Sequence, residues 1–207
     1  MTATHEWFDT TFAGVRVMAI LRGYTPERSV QLAERAWDLG IESVEVPIQS
    51  PAALEALAAT VEAGRRRDKF VGAGTVVTPE HVAQAAANGA AFTVAPGLDE
   101  MVVRACAEAS LPHLPGVATA TELQRAVRLG LRWVKAFPAS VLGVDWFRTL
   151  QGPFPEVKFV ATGGMNASNA RSYLAAGVSV VAVGSALEDP KQLDALSELT
   201  GPARDLA

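Results

Sequence analysis

The sequence predicts an α/β fold, and within that class a single closed (β/α)8 barrel of the TIM type. Three observations carry this expectation. Eight short apolar runs alternate with amphipathic segments of helical period along the 207 residues. Helix start and stop signals fall in the gaps between them. No Gly/Ser-rich linker divides the chain, so one domain is expected over 1–207, with 1–14 as an N-terminal extension or helix. A row of β/α units means a parallel sheet, and an open doubly wound sheet is the competing architecture. The count of eight, the short loops and the small residues at inward positions favour the barrel.

The apolar runs are 15–22, 43–48, 70–76, 91–96, 113–117, 133–138, 158–163 and 178–184. Each is short enough to be a strand buried on both faces. Between them, segment 28–39 sets Val30, Leu32, Ala33, Ala36 and Trp37 on one helical face. Segments 54–61, 82–87, 102–109, 122–129, 169–176 and 193–199 repeat that period, and 146–150 shows it most weakly. Start signals precede these helices at Thr25-Pro26-Glu27, Ser50-Pro51, Thr78-Pro79-Glu80, Asp99-Glu100, Thr119 to Glu122, Asn166 to Ser168, and Asp189-Pro190. Each supplies a side-chain cap, a proline at the first turn, or an acid there. Gly40, Gly64, Gly89, Gly130 and Gly177 read as helix terminators.

Composition removes several functions. A content of 49% hydrophobic residues suits a compact core, and a net charge of −4 offers no footprint for nucleic acid. The run Arg65-Arg66-Arg67 reads as a solvated last helical turn. One cysteine excludes an internal disulfide, and Cys106 reads as a buried structural thiol. His5, His81 and His113 are scattered, so no metal site is expected. No long apolar stretch suggests export or membrane insertion, so the expected location is cytoplasmic.

The chemistry centres on Lys135. In the run Trp133-Val134-Lys135-Ala136-Phe137, period two puts Trp133, Lys135 and Phe137 on one face. An ammonium between aromatics loses solvation, and the neutral amine is a nucleophile whose natural electrophile is a ketone or aldehyde. That points to Schiff-base chemistry, with a phosphate contact or a simple charge partner as the bland readings. Glu45, between Val44 and Val46, points inward and is either an acid/base or a neutralising partner. Arg22 and Thr75 close their strands; a surface ion pair and a helix cap are their alternatives. Thr162-Gly163-Gly164 ends the seventh run and Gly184-Ser185 the eighth, where barrels build phosphate sites.

On these residues the chain resembles the class I 2-keto-3-deoxy-6-phosphogluconate (KDPG) aldolase family. That family includes the 2-keto-3-deoxy-6-phosphogalactonate and 4-hydroxy-2-oxoglutarate aldolases. The resemblance rests on VMAILRGYTPE, VEVPIQSP, VGAGTVVTPE, VAPGLDE, LPGVATATEL, VKAFPA, GPFPEVKFVATGG and VGSAL, from about Val15 to Leu187. It implies that Lys135 forms the Schiff base and Glu45 is the acid/base carboxylate. It implies Thr75 at the pyruvate carboxylate, Pro96 and Phe137 at the pyruvyl pocket, Thr162 near the sugar hydroxyls, and Gly163, Gly164 and Ser185 at the phosphate. It also implies a homotrimer, a phosphorylated keto acid and pyruvate as the small-molecule partners, and no cofactor or metal. One departure stands out: Gln49 occupies a position where phosphogluconate members commonly carry arginine, and Arg22 is the candidate replacement. The front of the chain leans toward the phosphogalactonate relatives, the back toward the phosphogluconate ones. A different phosphate-binding barrel enzyme and a non-catalytic sugar-phosphate-binding barrel are the rival readings.

Overall fold

The computed structural model describes residues 2–200, with side chains from residue 6 onward. Residues 1 and 201–207 of the expected domain lie outside the described residues. The strands are β1 (Val17–Ile20), β2 (Ser43–Pro47), β3 (Val71–Gly74), β4 (Phe92–Val94), β5 (His113–Leu114), β6 (Gly116–Val117), β7 (Trp133–Ala136), β8 (Lys158–Thr162) and β9 (Val180–Val183). All pair in parallel, in the order β5-β4-β3-β2-β1-β9-β8-β7-β6.

The two ends of that order are one strand. Pro115 interrupts the fifth apolar run, because it has no N–H to give the ladder. Before it, β5 pairs with β4; after it, β6 pairs with β7. The Lys135 amide donates to the Pro115 carbonyl at 2.8 Å, so the ladder passes the break. β5 and β6 are thus the halves of a fifth barrel strand, and the eight-stranded barrel closes through them.

One helix, α1 (Thr2–Thr11), precedes the strands, and the others follow them: α2 (Pro26–Asp38), α3 (Pro51–Arg65), α4 (Pro79–Ala87), α5 (Glu100–Glu108), α6 (Ala120–Arg128), α7 (Ala139–Leu142), α8 (Val144–Gln151), α9 (Ala170–Ala175) and α10 (Pro190–Ser197). A 3-10 turn, Ser185–Glu188, precedes α10. Six caps are those expected: Thr25, Ser50, Thr78, Asp99, Thr119 and Asp189 each accept from a backbone N–H of the first turn, whereas α9 begins after Asn169, beyond the expected Asn166 to Ser168, with no side-chain cap. Thr119 and Glu122 close a capping box. The weakest helical pattern does form a helix, α8, because Phe147 and Leu150 bury against the barrel.

Two local readings change. Gly64 lies inside α3 and does not end it. A Cβ there would stand 2.8 Å from the Lys69 carbonyl oxygen, so the glycine admits the chain returning to β3. The reversal falls instead at Asp68, with φ 55°. Arg67 is also more than a solvated charge: it pairs with Asp38 and lies 5.8 Å from the Trp37 ring.

Alternation along the strands separates two cores. Val17, Ala19, Val44, Val46, Val134, Ala136, Val181 and Val183 face the helices. Met18, Ile20, Phe92, Val94, Leu114, Trp133, Val160 and Val180 fill the barrel interior. α1 completes that interior: Phe8 and Phe12 are buried in it, edge-on to one another and to Phe92. Asp9 receives Trp133 Nε1 at 2.8 Å and Lys158 Nζ at 2.7 Å. The N-terminal segment is therefore a helix that plugs the amino end of the barrel, which leaves the carboxyl end as the open face.

Outside the barrel, Cys106 is buried on the inner face of α5, as expected. Thr93 Oγ1 stands 3.3 Å from its sulfur and 2.8 Å from Nδ1 of His113. Burial pushes His113 down to about 4 from 6.5. The unfolded chain therefore takes up this proton first as pH falls. Stability from neutral His113 is full above pH 6.5 and is lost between 6.5 and 4, by about 3 kcal/mol over that window. Unfolding free energies of wild type and His113→Gln at pH 7 and pH 4.5 check this. The variant is expected to lose distinctly less over that interval, and parallel losses would assign the acid lability elsewhere.

Among the described residues no helix is long and apolar enough to cross a membrane. No group of three or more His, Cys, Asp or Glu among them is arranged to hold a metal ion.

Candidate active site

A cavity of about 760 Å³ opens at the carboxyl ends of the strands. Its lining includes Arg22, Thr75, Pro96, Phe137, Thr162, Gly163, Gly164 and Ser185, every one of which the sequence had singled out. They arrive from six different barrel strands, because each lies at or just past a strand's last residue. Lys135 and Glu45 are the other two candidates. Both sit one layer deeper, at inward positions beneath this lining, with 3% and 0% exposure.

Register explains their placement. Glu45 is level with Ile20 of β1 and Gly72 of β3; Lys135 is level with Gly116 of β6 and Val160 of β8. Their strands are the second and sixth of eight, so they face each other across the barrel. The Lys135 amine lies 5.3 Å from the Phe137 ring centroid. Trp133 shares this inward face, as expected, but lies two residues nearer the amino end, where its indole donates to Asp9 and packs on Phe12. The two carboxylate oxygens of Glu45 are buried with no hydrogen-bond partner among the described residues. A buried carboxylate without a protein partner is poised for another polar group.

At the rim, Arg22 Nη1 donates to Gln49 Oε1 and stands 3.5 Å from Thr75 Oγ1. One cation, one amide and one hydroxyl thus converge from the ends of the first three strands. Gln49 has no charge of its own, but its side-chain oxygen accepts from Arg22, and both line the cavity. Thr75 has φ 58°, a conformation β-branched residues rarely adopt. Such an outlier at a cavity wall is the kind that function maintains.

The opposite wall is the glycine turn. Gly163 and Gly164 have φ 96° and 75°. The Gly163 carbonyl accepts from the Ser140 N–H at 3.0 Å, and that of Gly164 from Asn169 Nδ2 at 2.8 Å. A Cβ on Gly163 would press to 3.2 Å on the Phe137 ring, and one on Gly164 would lie 2.6 Å from Ser140 Cβ. The turn is therefore set by close approach on one side and open to the cavity on the other. Thr162 Oγ1, also buried, has no partner among the described residues. Ser185, exposed, begins the 3-10 turn beside it.

The sequence reading missed Tyr24 and Glu188, which also line the cavity. Burial first, and then the nearby Glu188 carboxylate, push the Tyr24 phenol up. Neither belongs to an apolar run or a glycine turn, so no local pattern marks them.

With this geometry in view, the comparisons with known proteins are specific. A family model described as KDPG and KHG aldolase matches residues 9–199. The 2-dehydro-3-deoxy-phosphogluconate aldolase of Treponema pallidum is 39% identical over 195 residues, covering 90% of this chain and 92% of that protein. The 2-dehydro-3-deoxy-6-phosphogalactonate aldolase of Escherichia coli is 34% identical, covering 83% of each. A KDPG aldolase structure from Legionella pneumophila, with pyruvate captured as a covalent carbinolamine, superposes with a TM-score of 0.80 at 31% identity, covering 92% of this chain and 94% of that one. The barrel, its carboxyl-end cavity and a family match over nearly its whole length place this chain in the KDPG and KHG aldolase family.

Proposed function

We propose that this protein is a class I aldolase that cleaves 2-keto-3-deoxy-6-phosphogluconate reversibly to pyruvate and glyceraldehyde 3-phosphate. The observation that carries the proposal is the facing pair of buried Lys135 and Glu45 beneath a cavity with a cationic rim and a glycine turn. Relatives of that named activity over most of the chain support it.

The residues take these roles. Arg22, held by Gln49, and Thr75 bind the substrate carboxylate; Pro96 and Phe137 line the pyruvyl pocket. Gly163, Gly164 and Ser185 bind the phosphate, and Thr162 meets a sugar hydroxyl. Binding the phosphate far from the reacting carbons orients C2 toward the amine.

The neutral Lys135 amine adds to the C2 ketone, and loss of one water leaves a protonated imine. Glu45, through a water, removes the C4 hydroxyl proton. The C3–C4 bond breaks, its electron pair enters the iminium to form an enamine, and C4 leaves as the aldehyde of glyceraldehyde 3-phosphate. The enamine takes a proton at C3, and one water hydrolyses the imine to pyruvate and free Lys135. The water released in the first half is consumed in the second. Assembly as a homotrimer belongs to the same proposal and rests on the family resemblance; a cytoplasmic location belongs to it as well and rests on the lack of a long apolar stretch in the sequence.

The Arg22–Gln49 contact favours a second reading, the same chemistry on the phosphogalactonate epimer. A side-by-side assay of both epimeric 6-phosphates and 4-hydroxy-2-oxoglutarate separates them. The expected result is a kcat/KM for the phosphogluconate substrate higher by roughly tenfold or more, the scale that a hydroxyl hydrogen bond sets. A reversed order would assign the galactonate series.

A further inference from the structure

We infer that Gly74 is a positioning residue for the acid/base carboxylate: its missing side chain is the seat of Glu45. The inference rests on the role proposed above for Glu45.

Glycine inside a strand weakens it, so its presence calls for a reason. The backbone supplies none here. Gly74 has no positive φ, and its partner in the ladder is Pro47, in ordinary parallel register. What a side chain would meet is the reason. A Cβ on Gly74 would overlap Glu45 Oε1 and stand 2.7 Å from Cδ and 2.8 Å from Cγ. The three nearest atoms all belong to that one side chain. Nothing else would crowd an alanine as closely.

The geometry also explains why packing must do this work. The Glu45 main chain is pinned, with its carbonyl accepting from Leu21 N–H at 2.8 Å. Its carboxylate is fully buried and makes no hydrogen bond to the described residues. With no polar group to orient it, its place is set by the surfaces around it, and the bare backbone of Gly74 is one of these. The next residue is Thr75, with its left-handed backbone at the cavity wall. Gly74 therefore joins two parts of the site: it seats the proton-transfer group by what it lacks, and it leads into the carboxylate-binding threonine.

Two cycles test this. In the first, kcat and KM are measured for Gly74→Ala, Glu45→Gln and the double variant, with borohydride trapping of pyruvate on Lys135 as a second readout. Gly74→Ala is expected to lower kcat on the order of 10²-fold, the scale of an ångström-sized misplacement, while pyruvate is still trapped. Added to Glu45→Gln, it is expected to change kcat less than about threefold, because it acts through a group already disabled. Multiplicative losses, or a wild-type kcat in Gly74→Ala beside an impaired Glu45→Gln, would overturn this inference alone. Full activity in Glu45→Gln would overturn the role of Glu45 itself.

The second cycle reads stability and needs no activity. Gly74→Ala is expected to lower the unfolding midpoint in the wild-type background. In the Glu45→Ala background it is expected to leave the midpoint unchanged or raise it, since the methyl then fills vacated space. If removing Glu45 brings no relief, the carboxylate is not what requires glycine at position 74.

Discussion

Lys135→Ala is expected to abolish imine formation and to lower kcat by about 10⁵–10⁶, the scale for loss of a catalytic nucleophile. Among the described residues no other lysine lines or underlies the cavity. Lys135 is the one buried lysine among the described residues, and Lys158, which shares the inward face of β8 with Val160, is engaged at the amino end of the barrel by Asp9. Treatment of the wild type with pyruvate and borohydride should add a reduced pyruvyl group, and peptide mass mapping should find it on Lys135. Lys135→Met keeps a long apolar stem in the same space and guards against loss of fold. Label on another residue, or none, would sink the Schiff-base mechanism.

Glu45→Gln is expected to retain pyruvate trapping but to lower turnover by roughly 10²–10⁴, the usual contribution of acid/base catalysis. The substitution is nearly isosteric, so the space at Gly74 still receives it and the barrel packing is preserved. What disappears is the ability to exchange a proton in a water-poor interior. A split between trapping and turnover is the signature, because imine formation with pyruvate needs the amine, while breaking C3–C4 needs the hydroxyl proton removed. Wild-type turnover in this variant would remove Glu45 from the scheme.

Much of the site was legible because a parallel barrel makes position a matter of counting. Arg22, Thr75, Pro96, Phe137, Thr162 and Ser185 all lie at or just beyond strand ends, and strand ends are visible as the edges of apolar runs. Lys135 and Glu45 were visible for a different reason: each is a charge inside an apolar run, where burial makes a charge costly. Tyr24 and Glu188 were not legible. They sit in the loop after the first strand and the 3-10 turn after the last, and only barrel closure makes those strands neighbours.

Helix boundaries followed the same division. Caps such as Thr119 with Glu122 act within one turn, so three residues of sequence suffice to recognise them. Gly64 misled because its role is non-local: it accommodates Lys69 and Val71 rather than a left-handed turn. Pro115 was passed over as an interior member of a strand, although its lack of an N–H is what divides that strand into β5 and β6.

By itself the sequence determined the alternation of eight strands with helices, the inward lysine and glutamate, and the glycine turns at the carboxyl end of the barrel. These are local properties of period, charge and backbone freedom. Tertiary structure alone decided that α1 plugs the amino end, that Gln49 accepts from Arg22 at the cavity, and that Gly74 makes room for Glu45. Each of these is a contact between groups distant along the chain, and closure of the barrel, not any local preference, brings them to touching distance.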